Sequence, residues 1–487
     1  MKVKNSNSRL LNLYLAITPS FEHLLVKEVE TILKRKCFNP PTTSSPRPTI
    51  AVEGNGGVQC NHMTSEHLWA ISNHSRLTES IRSRLTPVDG VKCSNFSYLG
   101  SALKDINWKN YFKLHNHTTP PVSVSSTKST LYHTGAVQER LLDHFKKNVL
   151  MIKSFKDINS DTSSSSTPII TNEEHSRIYV RMHDNVMQIS VDASGGEDML
   201  YKRTPNKYVT DAPIRETLAA ALLHLIEYNP KETVLWDPFA GSGTFLHEAL
   251  GITHQGLCLE NRHFAFMNWP IHRSERYSNY LTKLTTTTNQ DNKDDSNNTN
   301  NNNNNIEIDF PTVSTNTLKK SKTFIIGSDI DPKATLANKH NLNQLGYRYS
   351  LLNEYSSPSS SSPSSPIIVE TGDFSEIIKK IRDNIYDKSL TTKKITILTN
   401  LPYGGRIMQS MPKQQQKEAS PFIISNSLKE TFKSFSKMIQ DNADIIENVY
   451  VLNGHPSFKD LTSDLEWTCI QSFTNGGLNV QLLKLKK

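Results

Sequence analysis

The sequence predicts an α/β protein in two parts, an α+β region followed by a doubly wound, mostly parallel sheet with helices on both faces. Beyond residue 206, short β-branched runs alternate with helical patterns, as in "TVLWDPFAGSGTFLHEAL" and "TFIIGSDIDPKATLANKHNLNQLG", which is typical of parallel βαβ units. Before residue 200, strand and helix patterns are mixed, and two strand-like runs meet in a hairpin pattern near Asp184 and Asn185.

The chain has 487 residues, more than one hydrophobic core usually serves. We therefore expect two regions, 1–200 and 206–487. Hydrophobic residues make up only 36% of the chain, and the deficit lies in Ser-, Thr- and Asn-rich tracts that cannot bury apolar surface. We expect these tracts to be disordered or low-complexity surface inserts, which lie near residues 40–47, 156–172, 284–318 and 355–366.

Charge and cysteine content narrow the class of protein. A net charge of +8 and a pI near 9.0 favour polyanionic partners such as nucleic acid. The five cysteines are far apart and form no C-x-x-C pair, so we expect no disulfide scaffold, no metal site and a reducing compartment. No run approaches the ~18 apolar residues that span a bilayer, so no membrane partner is expected. We expect a cytoplasmic protein, with the mitochondrion or the nucleolus as alternatives. The mitochondrial alternative rests on a basic start that has no acidic residue before Glu22.

The elements of the first region follow from their periodicity. "LNLYLAIT" predicts a strand, and the next stretch, "SFEHLLVKEVETIL", predicts a helix. Further helix patterns are "SEHLWAISNHSRLTESI" and "GAVQERLLDHFKKNVL", and "PVSVSST", "SRIYVRMHD" and "NVMQISVDASG" predict strands. The second region opens with "TDAPIRETLAAALLHLIEY", in which Asp211 before Pro213 suits the first turn of a helix.

The stretch "DPFAGSGTFLHEAL" predicts a strand, a glycine loop and a helix. The strand delivers Asp237, Gly241 and Gly243 let the backbone approach a ligand, and the helix begins near Thr244. This order favours a nucleotide-like cofactor, although such turns also occur as plain tight connections. The loop is neither a P-loop nor a complete dinucleotide fingerprint.

Two acidic residues follow the next two predicted strands. Asp329 ends the run "FIIGSD" and can accept hydrogen bonds from two ribose hydroxyls, whereas Asp331 before Pro332 is predicted to cap a helix. Asp373 in "ETGDF" can accept a hydrogen bond from an adenine amino group, or it can be a second helix cap.

These features, in this order, resemble the class I S-adenosylmethionine-dependent methyltransferases. The resemblance implies a Rossmann-like domain with S-adenosyl-L-methionine as its cofactor. The cofactor-binding residues that it implies are Asp237, Gly241, Gly243, Thr244, Asp329 and Asp373.

The stretch "ITILTNLPYGGRI" adds a substrate site to that resemblance. "NLPY", Asn400 to Tyr403, resembles the [Asn/Asp]-Pro-Pro-[Tyr/Phe] signature of enzymes that methylate planar amines. Such a nitrogen is a poor nucleophile because its lone pair is delocalised into the ring. The Asn400 side-chain oxygen and the Leu401 carbonyl would accept its two N–H groups, while Tyr403 stacks on the base. The alternative is a strand-ending turn in which Pro402 fixes the backbone.

The match is closer to one family. "APIRETLAAALL", "GSDIDP", "TNLPYGGRI" and "NGGLNVQLLKL" resemble the THUMP-containing methyltransferases of the bacterial type that modify a guanine 2-amino group in large-subunit ribosomal RNA. "LNLYLAITPSFEHLLVKEVETIL", "GAVQERLLDHF" and "DASGGEDMLYKR" resemble their ferredoxin-like and THUMP regions. The resemblance implies an RNA-binding region at 1–200 and ribosomal RNA as substrate, with transfer RNA possible. Lys202 and Arg203 are candidate phosphate contacts or ordinary solvated charges.

One departure from the family concerns the substrate site. Leu401 stands where the family usually has proline, so a less rigid loop is expected. The "NLPY" form also occurs in ribosomal RNA adenine dimethyltransferases, which leaves guanine and adenine open as the target. A catalytically inactive RNA-binding protein is the remaining alternative.

Overall fold

The computed structural model describes residues 10–37, 46–112, 119–149, 176–195, 199–204, 206–210, 213–254, 262–291, 315–356, 365–402, 424–475 and 477–486. The chain divides into two compact units. The first is Met1–Tyr201 with Leu257–Asn303, and the second is Lys202–Gly256 with Asn304–Lys487. The boundaries 1–200 and 206–487 stay predictions.

The strands are β1 (Leu11–Ala16), β2 (Thr49–Gly54), β3 (Gly57–Met63), β4 (Ser80–Arg84), β5 (Val91–Lys92), β6 (Val122–Thr127), β7 (Ile178–His183), β8 (Val186–Asp192), β9 (Val234–Asp237), β10 (Ile325–Asp329), β11 (Ile367–Thr371), β12 (Ile395–Asn400), β13 (Ile446–Asn453), β14 (Trp467–Asn475) and β15 (Leu478–Leu485). The α-helices are α1 (Glu22–Lys36), α2 (Ser65–His74), α3 (Phe96–Asp105), α4 (Thr134–His144), α5 (Glu216–Leu225), α6 (Thr244–His254), α7 (Ser274–Asp291), α8 (Asn316–Ser321), α9 (Pro332–Gln344), α10 (Phe374–Ile381), α11 (Asn426–Asp441) and α12 (Phe458–Leu461).

The first unit is built on an eight-stranded sheet in the order β2-β3-β1-β4-β8-β7-β6, with β5 also paired to β8. β6 and β7 are parallel and the other pairs are antiparallel. Helix α7 belongs to this unit, where the Asn73 side-chain amide of α2 donates a 3.0 Å hydrogen bond to the Tyr277 hydroxyl.

The predicted hairpin of the first region is confirmed. β7 and β8 pair antiparallel, with His183 opposite Val186. The two residues between them, Asp184 and Asn185, have φ of 49° and 60°, the backbone that a two-residue hairpin turn needs and that Asn and Asp tolerate best.

The second unit is built on a seven-stranded sheet in the order β11-β10-β9-β12-β13-β15-β14. The first five strands are parallel, and β15 is antiparallel to both of its neighbours. The predicted mostly parallel sheet is thus confirmed. The strand order reverses between β9 and β12, and ligands of such sheets bind beyond the carboxyl ends of the strands at that point.

The core of the second unit surrounds the parallel strands. All four residues of β9 and the first five of β12 are buried, which is typical of strands covered on both faces. Trp236 is fully buried, and its indole N–H donates a 3.0 Å hydrogen bond to the Ser328 hydroxyl of β10. The strand ends are therefore held on a rigid, fully packed base.

Three sequence predictions of element boundaries were wrong. The stretch 65–81, predicted as one helix, contains α2, which ends at His74, and the start of β4 at Ser80. Helix α5 begins at Glu216, after Arg215 as the N-cap, so Pro213 precedes the helix, and Asp211 lies outside the described residues. Helical structure also extends into the insert expected at 284–318, because α7 runs to Asp291 and α8 begins at Asn316. The side of α7 that packs on the core contains the buried residues Tyr277, Tyr280 and Leu284. Packing of this side stabilises the helix, which therefore continues into the Thr-rich tract.

The other expected inserts lie largely outside the described residues, including all of 156–172. Across the described ranges, no helix is both long and apolar enough to cross a membrane.

Candidate active site

The glycine loop follows Asp237, the last residue of β9, whose carboxyl group is buried. Asp237 is 2% exposed, and its Oδ1 accepts hydrogen bonds from the Phe239 backbone N–H (3.1 Å) and from the Thr399 hydroxyl (2.6 Å). The Ala240 N–H donates to the Ser328 carbonyl at 2.9 Å, which ties the loop to β10. The loop therefore has a fixed course across the ends of three neighbouring strands.

Gly243 cannot be replaced without displacing its surroundings. Its φ is +87°, and a Cβ would lie 2.1 Å from the Asn338 Oδ1 and 2.8 Å from the His247 Nε2. Gly241 also has positive φ, +52°, but more space. Helix α6 begins at Thr244, as predicted. The loop thus brings bare backbone to the amino-terminal end of a helix, which suits an anionic or polar ligand group.

Asp329 ends β10, as predicted, and faces the glycine loop. Its Oδ2 accepts the Gly241 N–H at 2.9 Å and its Oδ1 accepts the Asp331 N–H at 3.0 Å. Burial is the main cause that raises the pKa of Asp329. The predicted cap at Asp331 is confirmed, because its side chain accepts the Lys333 N–H at 2.9 Å. An ionised carboxylate has about four acceptor positions, so Asp329 keeps acceptor capacity for a ligand hydroxyl.

Asp373 follows β11 and caps α10. Its Oδ1 accepts the Ser375 N–H at 2.8 Å, so the helix-cap alternative is observed. Its contact with an adenine amino group stays a prediction.

Asn400 is brought to the same place as the glycine loop. It ends β12 as predicted, and it lines one small cavity together with residues of β9, the loop and α6. The other lining residues are Thr210, Pro213, Ile214, Asp237, Phe239, Ala240, Gly241, Ser242, Thr244 and Phe245. The predicted cofactor-binding loop and the predicted amine acceptor therefore share a cavity.

Leu401 is anchored in the core. Its side chain is 1% exposed and lies within a hydrophobic core cluster of this unit. A less rigid loop was expected here, because the related family has proline at this position, but the packing of Leu401 holds the backbone in place. Pro402 is exposed. Tyr403 lies outside the described residues, and its stacking role stays a prediction.

Two buried ion pairs lie close to the glycine loop. Arg203 donates to the Glu248 Oε2 at 2.6 Å, and these side chains are 5% and 3% exposed. Arg203 is thus neither a solvated charge nor an available phosphate contact, which corrects both sequence interpretations. Lys207 donates to the Glu216 Oε1 at 2.6 Å and to the Thr244 hydroxyl at 3.2 Å. The sequence signal for these pairs was a glutamate within each of the apolar stretches "ETLAAALL" and "TFLHEAL".

His247 of α6 is a further residue that the sequence interpretation missed. It is 5% exposed, and its ring lies against Gly243 and the Asn338 side chain. Burial, with the nearby Lys207 charge, lowers the pKa of His247 to about 3. The ring is therefore neutral at physiological pH and packs beneath the loop.

Burial raises the pKa of Asp237 to about 7, although the hydrogen bonds from Thr399 and Phe239 lower it. The neighbouring Asp329 charge also raises the pKa of Asp237. A positively charged ligand in the cavity would favour the ionised carboxylate, because opposite charges attract strongly where water is excluded. The site thus suits a cationic ligand with hydroxyl groups, such as a sulfonium nucleoside.

The reversal of strand order, the glycine loop, the acidic end of β10 and the asparagine that ends β12 define the class: the second unit is built as an S-adenosylmethionine-dependent methyltransferase. Residues 203–352 match the UPF0020 family, whose model describes an RMKL-like methyltransferase domain. The chain is therefore an S-adenosylmethionine-dependent methyltransferase that is similar to this family over those residues, and S-adenosyl-L-methionine is its cofactor.

Related sequences extend over different shares of the chain. An uncharacterised protein of Dictyostelium discoideum is 29% identical over 98% of this chain and 100% of its own length. A putative RNA methyltransferase of Synechocystis is 30% identical over 42% of this chain and 48% of its own length. A ribosomal RNA large subunit methyltransferase K/L of Acinetobacter baumannii is 26% identical over 56% of this chain and 34% of its own length.

Solved structures share the fold over nearly the whole chain. A putative methyltransferase complexed with S-adenosylhomocysteine has a TM-score of 0.63 and 18% identity, and covers 98% of both chains. A possible methylase from Clostridium difficile has a TM-score of 0.63 and 20% identity, also with 98% coverage of both chains. At these identities the comparison shows the fold.

Proposed function

We propose that this protein transfers a methyl group from S-adenosyl-L-methionine to the exocyclic 2-amino group of a guanine in structured RNA, with ribosomal RNA ahead of transfer RNA as the substrate. The names of two relatives, an RNA methyltransferase and a ribosomal RNA large subunit methyltransferase, support RNA as the substrate class. The first unit, proposed to contain ferredoxin-like and THUMP regions, would bind the RNA. The proposed compartment is the cytoplasm, with the mitochondrion or nucleolus as alternatives.

The observation that carries the proposal is the shared cavity of Asn400 and the glycine loop. The methyl donor and the amine must lie within bonding reach of each other, and a site that fixes both removes most of the entropic cost of the encounter. A strand end that presents an amide beside a cofactor loop meets that requirement.

The residues present suit the cofactor. Gly241 and Gly243 have no side chain of their own and give the loop its positive-φ backbone, Asp329 would hold the ribose hydroxyls, and Asp373 would face the adenine. When bound, the cofactor supplies an electrophilic methyl group on a sulfonium. Asp237 contributes a buried carboxyl group in the same cavity.

Asn400 and Leu401 would prepare the amine. Their side-chain and backbone oxygens would accept its two N–H groups, which draws the nitrogen toward a tetrahedral geometry and directs its lone pair at the methyl group. Leu401 is packed in the core, so its carbonyl is presented from a rigid backbone. Tyr403 would stack on the base.

Methylation of an adenine 6-amino group is the second candidate. It is favoured by Leu401, which makes the motif "NLPY", the form that also resembles adenine dimethyltransferases. The same two oxygens would accept the adenine amino group.

The test is to incubate the purified protein with labelled S-adenosylmethionine and total RNA from cells that lack its gene. Digestion and mass spectrometry then identify the methylated nucleoside and the RNA. We expect N2-methylguanosine in ribosomal RNA, and none with the Asn400→Ala variant. Label in adenosine alone would overturn the guanine assignment, and a cofactor-binding protein that labels no RNA would overturn the substrate class.

A further inference from the structure

One face of the first unit's sheet carries basic, aromatic and hydroxyl side chains together with the carboxylates of Glu53 and Asp192. Cross-strand pairing places Tyr14 opposite Arg82, and Tyr179 opposite Ser190, which in turn is opposite Arg84. Residues two apart on a strand share a face, so Arg177 and Arg181 lie beside Tyr179. We call this set the basic sheet face; it consists of Tyr14, Arg82, Arg84, Arg177, Tyr179 and Arg181.

The opposite face of the same strands is the core side. The side chains of Leu13, Ile81, Val191 and Ile178 there are all buried. The basic sheet face is therefore the polar side of an amphipathic sheet. Arg84 is buried there, Tyr14, Arg82, Arg177 and Tyr179 are half-buried, and Arg181 is exposed.

Arginine and tyrosine side chains interleave on this face. The Arg82 guanidinium carbon lies 3.8 Å from the Tyr179 ring centroid and 5.7 Å from that of Tyr14. The Arg84 guanidinium carbon lies 4.8 Å from the Tyr14 ring centroid. Cation–π contacts of this kind hold a guanidinium in place without neutralising it.

The arginines of this face differ in whether a carboxylate neutralises them. Arg84 is paired with Glu53 at 2.7 Å, and Arg181 lies 3.7 Å from the same carboxylate. Arg82 lies opposite the buried Asp192 of β8, but no ion pair joins it to a described residue, and its Nε is buried without a hydrogen-bond acceptor. A buried, unpaired donor on a cation favours an incoming anion.

The face is accessible from the side of β6 and β7. Ser125 and Thr127 of β6 and Arg181 and His183 of β7 are exposed, and they pair across the two strands as Ser125 with Arg181 and Thr127 with His183. A ligand strand approaching over β6 would meet hydroxyl donors first and the guanidinium and tyrosine groups next.

We infer that the basic sheet face is the docking surface for an RNA strand, with Arg82, Arg177 and Arg181 at phosphates and the Tyr179 ring against a base. The inference rests on the proposed function and specifies where its substrate is held. Each nucleotide of RNA carries a phosphate, a base that can stack and a 2′-hydroxyl. The guanidinium groups, tyrosine rings and hydroxyl groups of this face can bind these three parts of the nucleotide in turn. An acidic peptide offers only the charge.

The test measures binding of a fluorescent single-stranded RNA of about 15 nucleotides to the full chain without cofactor. We expect Arg177→Gln/Arg181→Gln to weaken binding about tenfold and to lower the slope of log affinity against log salt by about 1.4, since each phosphate contact contributes about 0.7. Tyr179→Leu should weaken binding and leave the salt slope unchanged. The control Lys379→Gln/Lys380→Gln removes two exposed charges from α10 of the second unit and should leave RNA binding unchanged.

The outcomes separate this inference from the proposed function. If the double variant binds and methylates RNA as the unchanged protein does, the docking surface is wrong while the proposed function stands. If the unchanged protein binds no RNA and labels none, both fail. Unlabelled polyglutamate and unlabelled RNA of equal charge are also compared as competitors of the fluorescent RNA. If polyglutamate displaces it as well as the RNA does, the inference is wrong. Equal melting temperatures of the variants confirm that they are folded.

Discussion

Thr399 donates a 2.6 Å hydrogen bond to the Asp237 carboxyl group, and this bond joins the carboxyl ends of the two strands between which the sheet order reverses. Thr399 is fully buried. The two strand ends that carry the cofactor loop and the amine acceptor are thus locked to each other by one side-chain contact. A small displacement between cofactor and substrate would slow methyl transfer severely.

The first prediction concerns this contact. Thr399→Val keeps the side-chain shape but removes the donor, so we expect a loss of about 2 kcal/mol in unfolding free energy at pH 8, where Asp237 is ionised. Thr399→Ser keeps the hydroxyl and loses one methyl group, at a cost of about 1 kcal/mol. Urea unfolding at pH 8 measures both variants. Equal losses would show that the hydrogen bond contributes nothing.

The second prediction concerns pH. Asp237 has a folded-state pKa of about 7, above the usual ~3.9 of an unfolded aspartate. Between these values the folded state retains a proton that the unfolded state has lost. This contribution to stability is therefore complete below about pH 4 and is lost as the pH rises through about 7, in total roughly 4 kcal/mol. The unchanged protein should have a higher unfolding free energy at pH 5 than at pH 8, and this difference should be clearly smaller in the Asp237→Asn variant. The same difference in both proteins would contradict the raised pKa.

The third prediction separates two roles of glycine. Gly243 and Gly477 have nearly equal φ, +87° and +85°, but only Gly243 is enclosed by side chains. Gly477→Ala should cost about 1 kcal/mol of stability from the backbone alone. Gly243→Ala should cost at least about 1 kcal/mol more, because Asn338 must move, and only this variant should weaken cofactor binding, as measured by calorimetry. Similar losses of stability in both variants would mean that the enclosure of Gly243 is unimportant.

The fourth prediction assigns Asn400 to the substrate. Asn400→Ala should lower turnover about 100-fold or more, because it removes a preorganised acceptor at the reacting amine, while the cofactor Kd stays nearly unchanged. Asn400→Asp keeps an oxygen acceptor and should retain part of the activity. Methyl-transfer assays and calorimetry on the same preparations distinguish the two effects. A large loss of cofactor affinity in Asn400→Ala would make the residue structural.

Much of the second unit was predictable from local pattern. The strand ends at Asp237, Asp329 and Asn400 and the helix start at Thr244 all lie where the sequence placed them. Each follows a β-branched run that stops at a polar residue, and parallel strands gather such ends at one edge of the sheet. Sequence alone therefore located the cavity.

Contacts that depend on tertiary packing could not be predicted. Nothing in the local pattern around Arg203 shows that Glu248 will bury its charge, because the pair is 45 residues apart along the chain. The same holds for Leu401, whose side chain is buried in a core cluster formed by several strands and helices, among them α10, α11 and β13. The cation–π stack on Arg82 likewise requires the pairing of strands from distant parts of the chain.

Helix α7 has a consequence for how the protein is made. Its Tyr277 packs 5.4 Å from Trp69, ring centroid to ring centroid, in the first unit, yet β9 and α6 of the second unit precede it in the sequence. On the ribosome, the amino-terminal core therefore stays incomplete until the glycine loop has already been synthesised. The first unit can therefore complete its core only after part of the second unit has been made, and a fragment that ends at residue 201 would lack part of its own interior.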